Sequence, residues 1–129
     1  MRSQASTLVY DLADRMRTNV SGANSNFYAV AAASVVVVAN CNTTVGCTPQ
    51  QMAQSDLAEW DAVITSHLPL GQGIVCVDSS PDDGTSAAAP QCDGLGSQFS
   101  IKLWWDDDRD GIINMTATNT ERFVISFRL

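Results

Sequence analysis

The densest chemistry in the chain is one acidic run. Asp106-Asp107-Asp108-Arg109-Asp110-Gly111 places carboxylates at alternate positions ahead of a glycine. This D-x-D-x-D-G spacing is that of loops that hold calcium, because alternate carboxylates converge on one hard cation and the glycine admits a sharp turn. Asp106, Asp108, Asp110 and Asn114, with the Ile112 carbonyl, are the candidate ligands. An EF-hand is excluded, since its twelfth position is Ala117 rather than glutamate and the flanks read as strands. A calcium-binding hairpin loop stays open beside a plain acidic turn, in which Asp and Gly serve local geometry. Acid–base catalysis is not expected, because a flexible turn gives no low-dielectric site to split carboxylate pKa values.

The other reactive side chains are Cys41, Cys47, Cys76 and Cys92. None forms a CxxC pair, and the only histidine is His67, so a tetrahedral zinc site is disfavoured. An even number separated by loop-like sequence reads as two disulfides, for which three connectivities exist. Cys41–Cys47 and Cys76–Cys92 are favoured, because each closes a local loop rich in turn-forming residues. The second is worth roughly 3 kcal/mol in the chain-entropy model. Disulfides imply an oxidising compartment. His67 falls in the last turn of a helix, where a cation suits the helix dipole, and no motif pairs it with a nucleophile.

These groups sit on a chain of 129 residues, which reads as one domain, 1–129, with enough length for a real core. Its formal charge of -7 disfavours a nucleic-acid or anionic-membrane surface. No apolar run reaches membrane-spanning length; the longest, Tyr28 to Ala39, is broken by Ser34. No stretch reads as an export signal. No nucleophile elbow, metal triad or phosphate loop is present, so the chain is not read as an enzyme.

The elements follow from periodicity. Ala5, Leu8, Val9, Leu12 and Met16, with Ala13 at the margin, form one apolar stripe and predict a helix from Arg2 to about Asn19. The helix starts without an N-cap, which fits either a lost upstream extension or a frayed terminal helix. Val20 to Asn26 reads as a link. Ser34 to Asn40 favours a strand by β-branching, although the alanines before it could be helical. A second helix spans 48–68: Thr48 caps it, Pro49 opens it, and Gln51 completes a capping box. Its buried stripe is Ala53, Leu57, Trp60, Ile64 and Leu68, while Asp56, Glu59 and Asp61 are expected to face solvent. Residues 73–129 read mainly as sheet and loops, with strands at Gly73–Val77, Phe99–Trp105 and Glu121–Arg128. Phe99, Ile101, Leu103 and Trp105 alternate with Ser100, Lys102 and Trp104, which predicts an antiparallel strand with one wet face. The class is α+β, the first helix covering the apolar face of the sheet.

Ser3–Asn19 (SQASTLVYDLADRMRTN), Tyr28, the cysteine pair ahead of TPQQMAQSDLAEW, and LPLGQGIVC at Leu68–Cys76 together resemble the PilV family of type IV pilus minor pilins (pilus modification proteins). The resemblance is strongest in Ala5–Asn19 and Cys47–Cys76. It implies a pilin-like fold, with an N-terminal α-helix on a four-stranded antiparallel sheet and a second helix in the connection. Residues 1–19 would be the soluble half of the long pilin helix, and an upstream leader and apolar half-helix, the inner-membrane anchor, would be missing. It also implies a non-enzymatic minor pilin that helps prime pilus assembly. Such a protein works near the tip with other minor pilins, the major pilin and an adhesin, first in the cell envelope and then on the extracellular pilus. Arg15 and Arg17 are candidate contacts on the first helix. Type II secretion minor pseudopilins share the plan. A secreted calcium-dependent binding or adhesion module, using the 78–98 loop or an exposed Trp104, is the other class to weigh.

Overall fold

The computed structural model describes residues 1–30, 35–44, 46–116 and 120–129. The elements are α1 (Arg2–Arg17), α2 (Val20–Asn24), α3 (Pro49–His67), β1 (Gln72–Val77), β2 (Phe99–Trp104) and β3 (Arg122–Phe127), with a short 3-10 turn at Ala39–Asn42. The strands form an antiparallel sheet in the order β1-β2-β3, with Ile101 opposite Val75 on one side and Ile125 on the other. The α+β class thus holds, with three strands among the described residues where the resemblance implied four.

Helix α1 buries Ala5, Leu8, Val9, Leu12, Ala13 and Met16, the whole expected stripe. Helix α3 begins as read: the Gln51 N–H donates to Thr48 Oγ1 at 3.2 Å, and the Thr48 N–H donates to Gln51 Oε1 at 3.0 Å. Its stripe Ala53, Leu57, Trp60, Ile64 and Leu68 is buried. Trp60 donates its indole N–H to the Leu8 carbonyl at 2.9 Å, tying α3 to α1. The same ring lies against β1 at Gly73, where any side chain would collide with it. Helix α1 packs on β2 and β3, and α3 packs on β1. Phe99, Ile101, Leu103 and Trp105 turn toward the helices and complete the core.

Three expectations change. The link after α1 contains the short helix α2. Val35–Val38 enters no strand, because β-branching favours extended backbone but a strand also needs a ladder partner; residues 31–34 of that stretch, like Ala117 of the acidic loop region, lie outside the described residues. The largest correction concerns β2. Ser100, Lys102 and Trp104, expected in water, are all fully buried.

The cover on that face is the long loop 78–98, which acts as a strap. Cys76–Cys92 ties its second half to the end of β1, and the Gly94 N–H donates to the Val77 carbonyl at 3.0 Å. Lys102 Nζ reaches Asp78 Oδ2 and Asp83 Oδ1 at 2.6 Å each, and donates to the Pro90 carbonyl at 2.8 Å. The Trp104 indole N–H and Arg122 Nη1 both donate to the Gly84 carbonyl, at 3.3 and 2.7 Å. Gly84 has φ +95, and a side chain there would strike the Pro90 backbone. An alternating strand therefore carries its polar residues inward, where a lysine holds two carboxylates and two carbonyls of the strap.

Burial pushes the Asp78 carboxyl up, but the Lys102 ammonium and the Ser80 N–H outweigh it and hold the group below its ordinary value. A carboxyl that titrates lower when folded contributes stability that is complete above its unfolded pKa of about 3.9, and loses it as the pH falls through the folded value. Lys102→Met, which leaves Asp78 buried without its partner, is expected to cost about 3–5 kcal/mol in urea unfolding at neutral pH. The double change Lys102→Met with Asp78→Leu is expected to recover much of that loss and to flatten the acid slope below about pH 4. A single variant as stable as the natural chain would contradict the strap's dependence on this pair.

Candidate functional site

The side chains with functional chemistry fall in three places: the outer side of α1, the acidic turn after β2, and two shallow hollows. On α1, Arg15 is not free. Its Nε lies 3.3 Å from Asp11 Oδ2, and its Nη1 lies 2.8 Å from Glu59 Oε2 and 3.4 Å from Asp56 Oδ1. Asp56, expected in solvent, is buried and accepts the Tyr28 hydroxyl at 2.5 Å. Asn19 donates to Tyr28 Oη at 3.3 Å and to the Pro49 carbonyl at 2.9 Å. Burial raises the Asp56 carboxyl, against the lowering effect of Tyr28 and Arg15. Tyr28 is raised by burial and then by its bond to Asp56. This network pins α1, α2 and α3 together, so Arg15 is a positioning group inside the domain.

Arg17 pairs with Asp14 at 3.2 Å and covers the Phe127 ring of β3 at 5.1 Å. At the other end of α1, Arg2 covers Phe123 and Trp105 at 5.5 and 5.9 Å. The helix is thus held to the sheet edge at both ends. Besides Arg2 and Arg17, α1 leaves Ser3, Gln4, Thr7, Tyr10, Asp11 and Asp14 in solvent. Trp104, read as an exposed contact residue, is buried under the strap, which corrects that expectation.

The acidic turn is built around two buried carboxylates, Asp106 and Glu121. Asp106 accepts the Gly111 N–H at 2.8 Å and the Asp110 N–H at 3.3 Å, and gives its own N–H to the Pro69 carbonyl at 2.7 Å. Glu121 accepts the Asp107 N–H on one oxygen and the Asn114 N–H, at 2.5 Å, on the other. Asp106, Asp108 and Asp110 come together, their nearest carboxylate oxygens all within 4.8 Å of one another. Asn114 points its amide nitrogen at Asp108 and Asp110, at 3.3 and 3.4 Å. Asp110 is lowered, first by the Ile112 N–H that it accepts at 3.0 Å. Asp108 is raised, first by partial desolvation and then by its carboxylate neighbours. Four expected ligand residues are therefore adjacent, and Ile112 enters through its N–H. Sequence reasoning missed Glu121, whose role had no local signal because its partners lie 7 and 14 residues away.

The disulfides are Cys41–Cys47 and Cys76–Cys92. One hollow of about 380 Å³ opens beside the second of them, and another of about 290 Å³ lies between α1 and α3, lined by Gln4, Thr7, Leu8, Val63 and His67. His67 Nδ1 contacts the Val63 carbonyl and Ser66 Oγ, at 3.0 and 2.9 Å, and sits in the last turn of α3 as expected. Of the seven basic residues, only Arg109 and Arg128 lack an ion pair or ring contact among the described residues. No helix among the described residues is long and apolar enough to cross a membrane.

No curated protein and no solved structure matches the chain. Residues 1–58, which hold α1, α2, the first disulfide and the start of α3, match the family model described as Tt1218-like, type IV pilin Tt1218; over that part the chain is similar to type IV pilins.

Proposed function

We propose that this chain is the soluble part of a non-enzymatic minor pilin of the PilV type. It helps prime type IV pilus assembly with other minor pilins and sits near the tip, in contact with the major pilin and an adhesin. An apolar helix ahead of α1 anchors it in the inner membrane before assembly. The observation that carries the reading is the pilin match over residues 1–58 on a helix that lies along an antiparallel sheet. Two disulfides fit a domain exposed to an oxidising envelope or the cell exterior. Arg15 of α1 and Lys102 of β2 are engaged in holding the domain together, which suits a rigid building block.

The acidic turn enters this proposal as a structural element, since its carboxylates accept backbone N–H groups and the Asn114 amide. A chelator is expected to leave Tm unchanged, and calcium at about 1 mM to raise it by less than about 1 °C. A rise of several degrees that disappears in Asp108→Asn with Asp110→Asn would instead establish a calcium loop and favour the binding-module reading.

The pilus assignment is tested in the source cell. Deleting the gene is expected to reduce surface pili strongly, and the complete gene to restore them. Normal piliation with impaired protein secretion would identify a pseudopilin. Normal piliation and secretion, with glycan binding by the isolated domain, would identify an adhesion module.

A further inference from the structure

The chain has no CxxC pair, but the fold brings Cys76 of β1 and Cys92 of the strap together beside the fully buried carboxylate of Asp78. The two sulfurs and a carboxylate oxygen of Asp78 all lie within 4.8 Å of one another. Both cysteines line the hollow of about 380 Å³, with Val77, Gly94, Asn26 and Ala29, so an ion or a small reductant reaches them from that side. Two sulfurs and one carboxylate oxygen are a donor set for zinc and similar thiolate-binding cations. In the disulfide the sulfurs are spent on each other, and reduction frees them.

The flanks of this disulfide are also joined without it. The Gly94 N–H donates to the Val77 carbonyl and the Ser79 N–H to Asp93 Oδ1, both at 3.0 Å. Gln98 donates to the Asp78 carbonyl at 3.0 Å, and Lys102 holds Asp78, Asp83 and Pro90. Opening the bond therefore leaves two thiols facing each other on a held frame. Two Zn–S bonds of about 2.3 Å at a tetrahedral angle set the sulfurs about 3.8 Å apart. The Cα atoms are 6.2 Å apart, which accommodates that spacing by side-chain rotation. Asp78 gives one oxygen to Lys102 at 2.6 Å and the other to the Ser80 N–H at 3.0 Å. A carboxylate has about four lone-pair sites, so it keeps these bonds and still binds a cation. The buried charges of Asp78 and Lys102 cancel, and two added thiolates leave a charge that one divalent cation neutralises.

We propose that reduction of Cys76–Cys92 creates a site for one thiolate-binding divalent cation of the zinc class, held by both sulfurs and Asp78, with the hollow leaving the fourth position to water. An external dithiol supplies two electrons and two protons and closes to its own disulfide; Cys76 and Cys92 become thiols, and each releases its proton when the cation binds. The oxidised chain has no such site, so cation capture reports the redox state. The inference does not depend on the assignment to a pilus.

The test uses the 129-residue chain, reduced with a phosphine, which takes oxygen from water to become its oxide, and titrated with Cd2+ alone. Thiolate-to-cadmium absorbance in the ultraviolet is expected to saturate at one equivalent, with Zn2+ competing, and to be absent from the oxidised chain. Cys41→Ser with Cys47→Ser is expected to keep this binding, and Cys76→Ser with Cys92→Ser to abolish it. Asp78→Asn is expected to weaken it by about 10–100-fold. Hydrogen exchange of residues 77–94 is expected to stay slow in the reduced chain before Cd2+ is added. No absorbance on titration, binding that survives Cys76→Ser with Cys92→Ser, unchanged affinity in Asp78→Asn, or a strap that exchanges freely once reduced would each overturn the proposal.

Discussion

The position of Trp60 is the constraint on which the rest of the domain depends. Its ring is fully buried between α3 and β1, and its N–H is taken by a carbonyl inside α1. Only glycine at position 73 leaves room for it. One side chain thereby fixes the distance between α3 and the sheet and the angle between α3 and α1. Truncations of this kind in protein cores cost about 3–5 kcal/mol, comparable to a large part of a small domain's stability. Around it Leu8, Leu12, Leu57 and Ile64 fill the remaining space, and Arg2 and Arg17 clamp the ends of α1 over Phe123 and Phe127.

The three strands among the described residues bury little by themselves, and the central one is covered on both faces. The helices cover one face with apolar contact. The strap covers the other with charge. Lys102 in a buried site requires oxygen partners in every direction, and the strap supplies two carboxylates and two carbonyls. A well-packed apolar residue at 102 would hold the loop less selectively, because it would not distinguish one loop register from another. Arg122 repeats the device with Gly84 and Asp82. With five of its seven Lys and Arg side chains engaged within the domain, the exterior is mostly acidic, consistent with its formal charge of -7.

The elements that were legible in the sequence are those with local signals. The stripe of α1 repeats over four turns, the cap of α3 lies within four residues, and each disulfide closes a short loop. What was illegible depends on distant partners. Alternation in β2 identifies its apolar face, but it does not reveal whether a remote loop covers the polar one, so Lys102 and Trp104 read as exposed. Asp56 looks like any acidic residue on a helix until Tyr28 and Arg15 are placed beside it. The valine run has strand propensity, and propensity alone does not provide a neighbour. In the acidic turn the spacing brought the right carboxylates together, while the backbone and Asn114 that occupy them could not be foreseen.

Under the proposed pilin role α1 would be the soluble half of a longer helix, and the sequence of the source reading frame upstream of Met1 tests this most directly. The account predicts a short basic leader and then an apolar segment that continues helically into α1 without a break. A conventional cleaved export signal, or a natural start at Met1, would contradict it and would leave a secreted binding domain in its place.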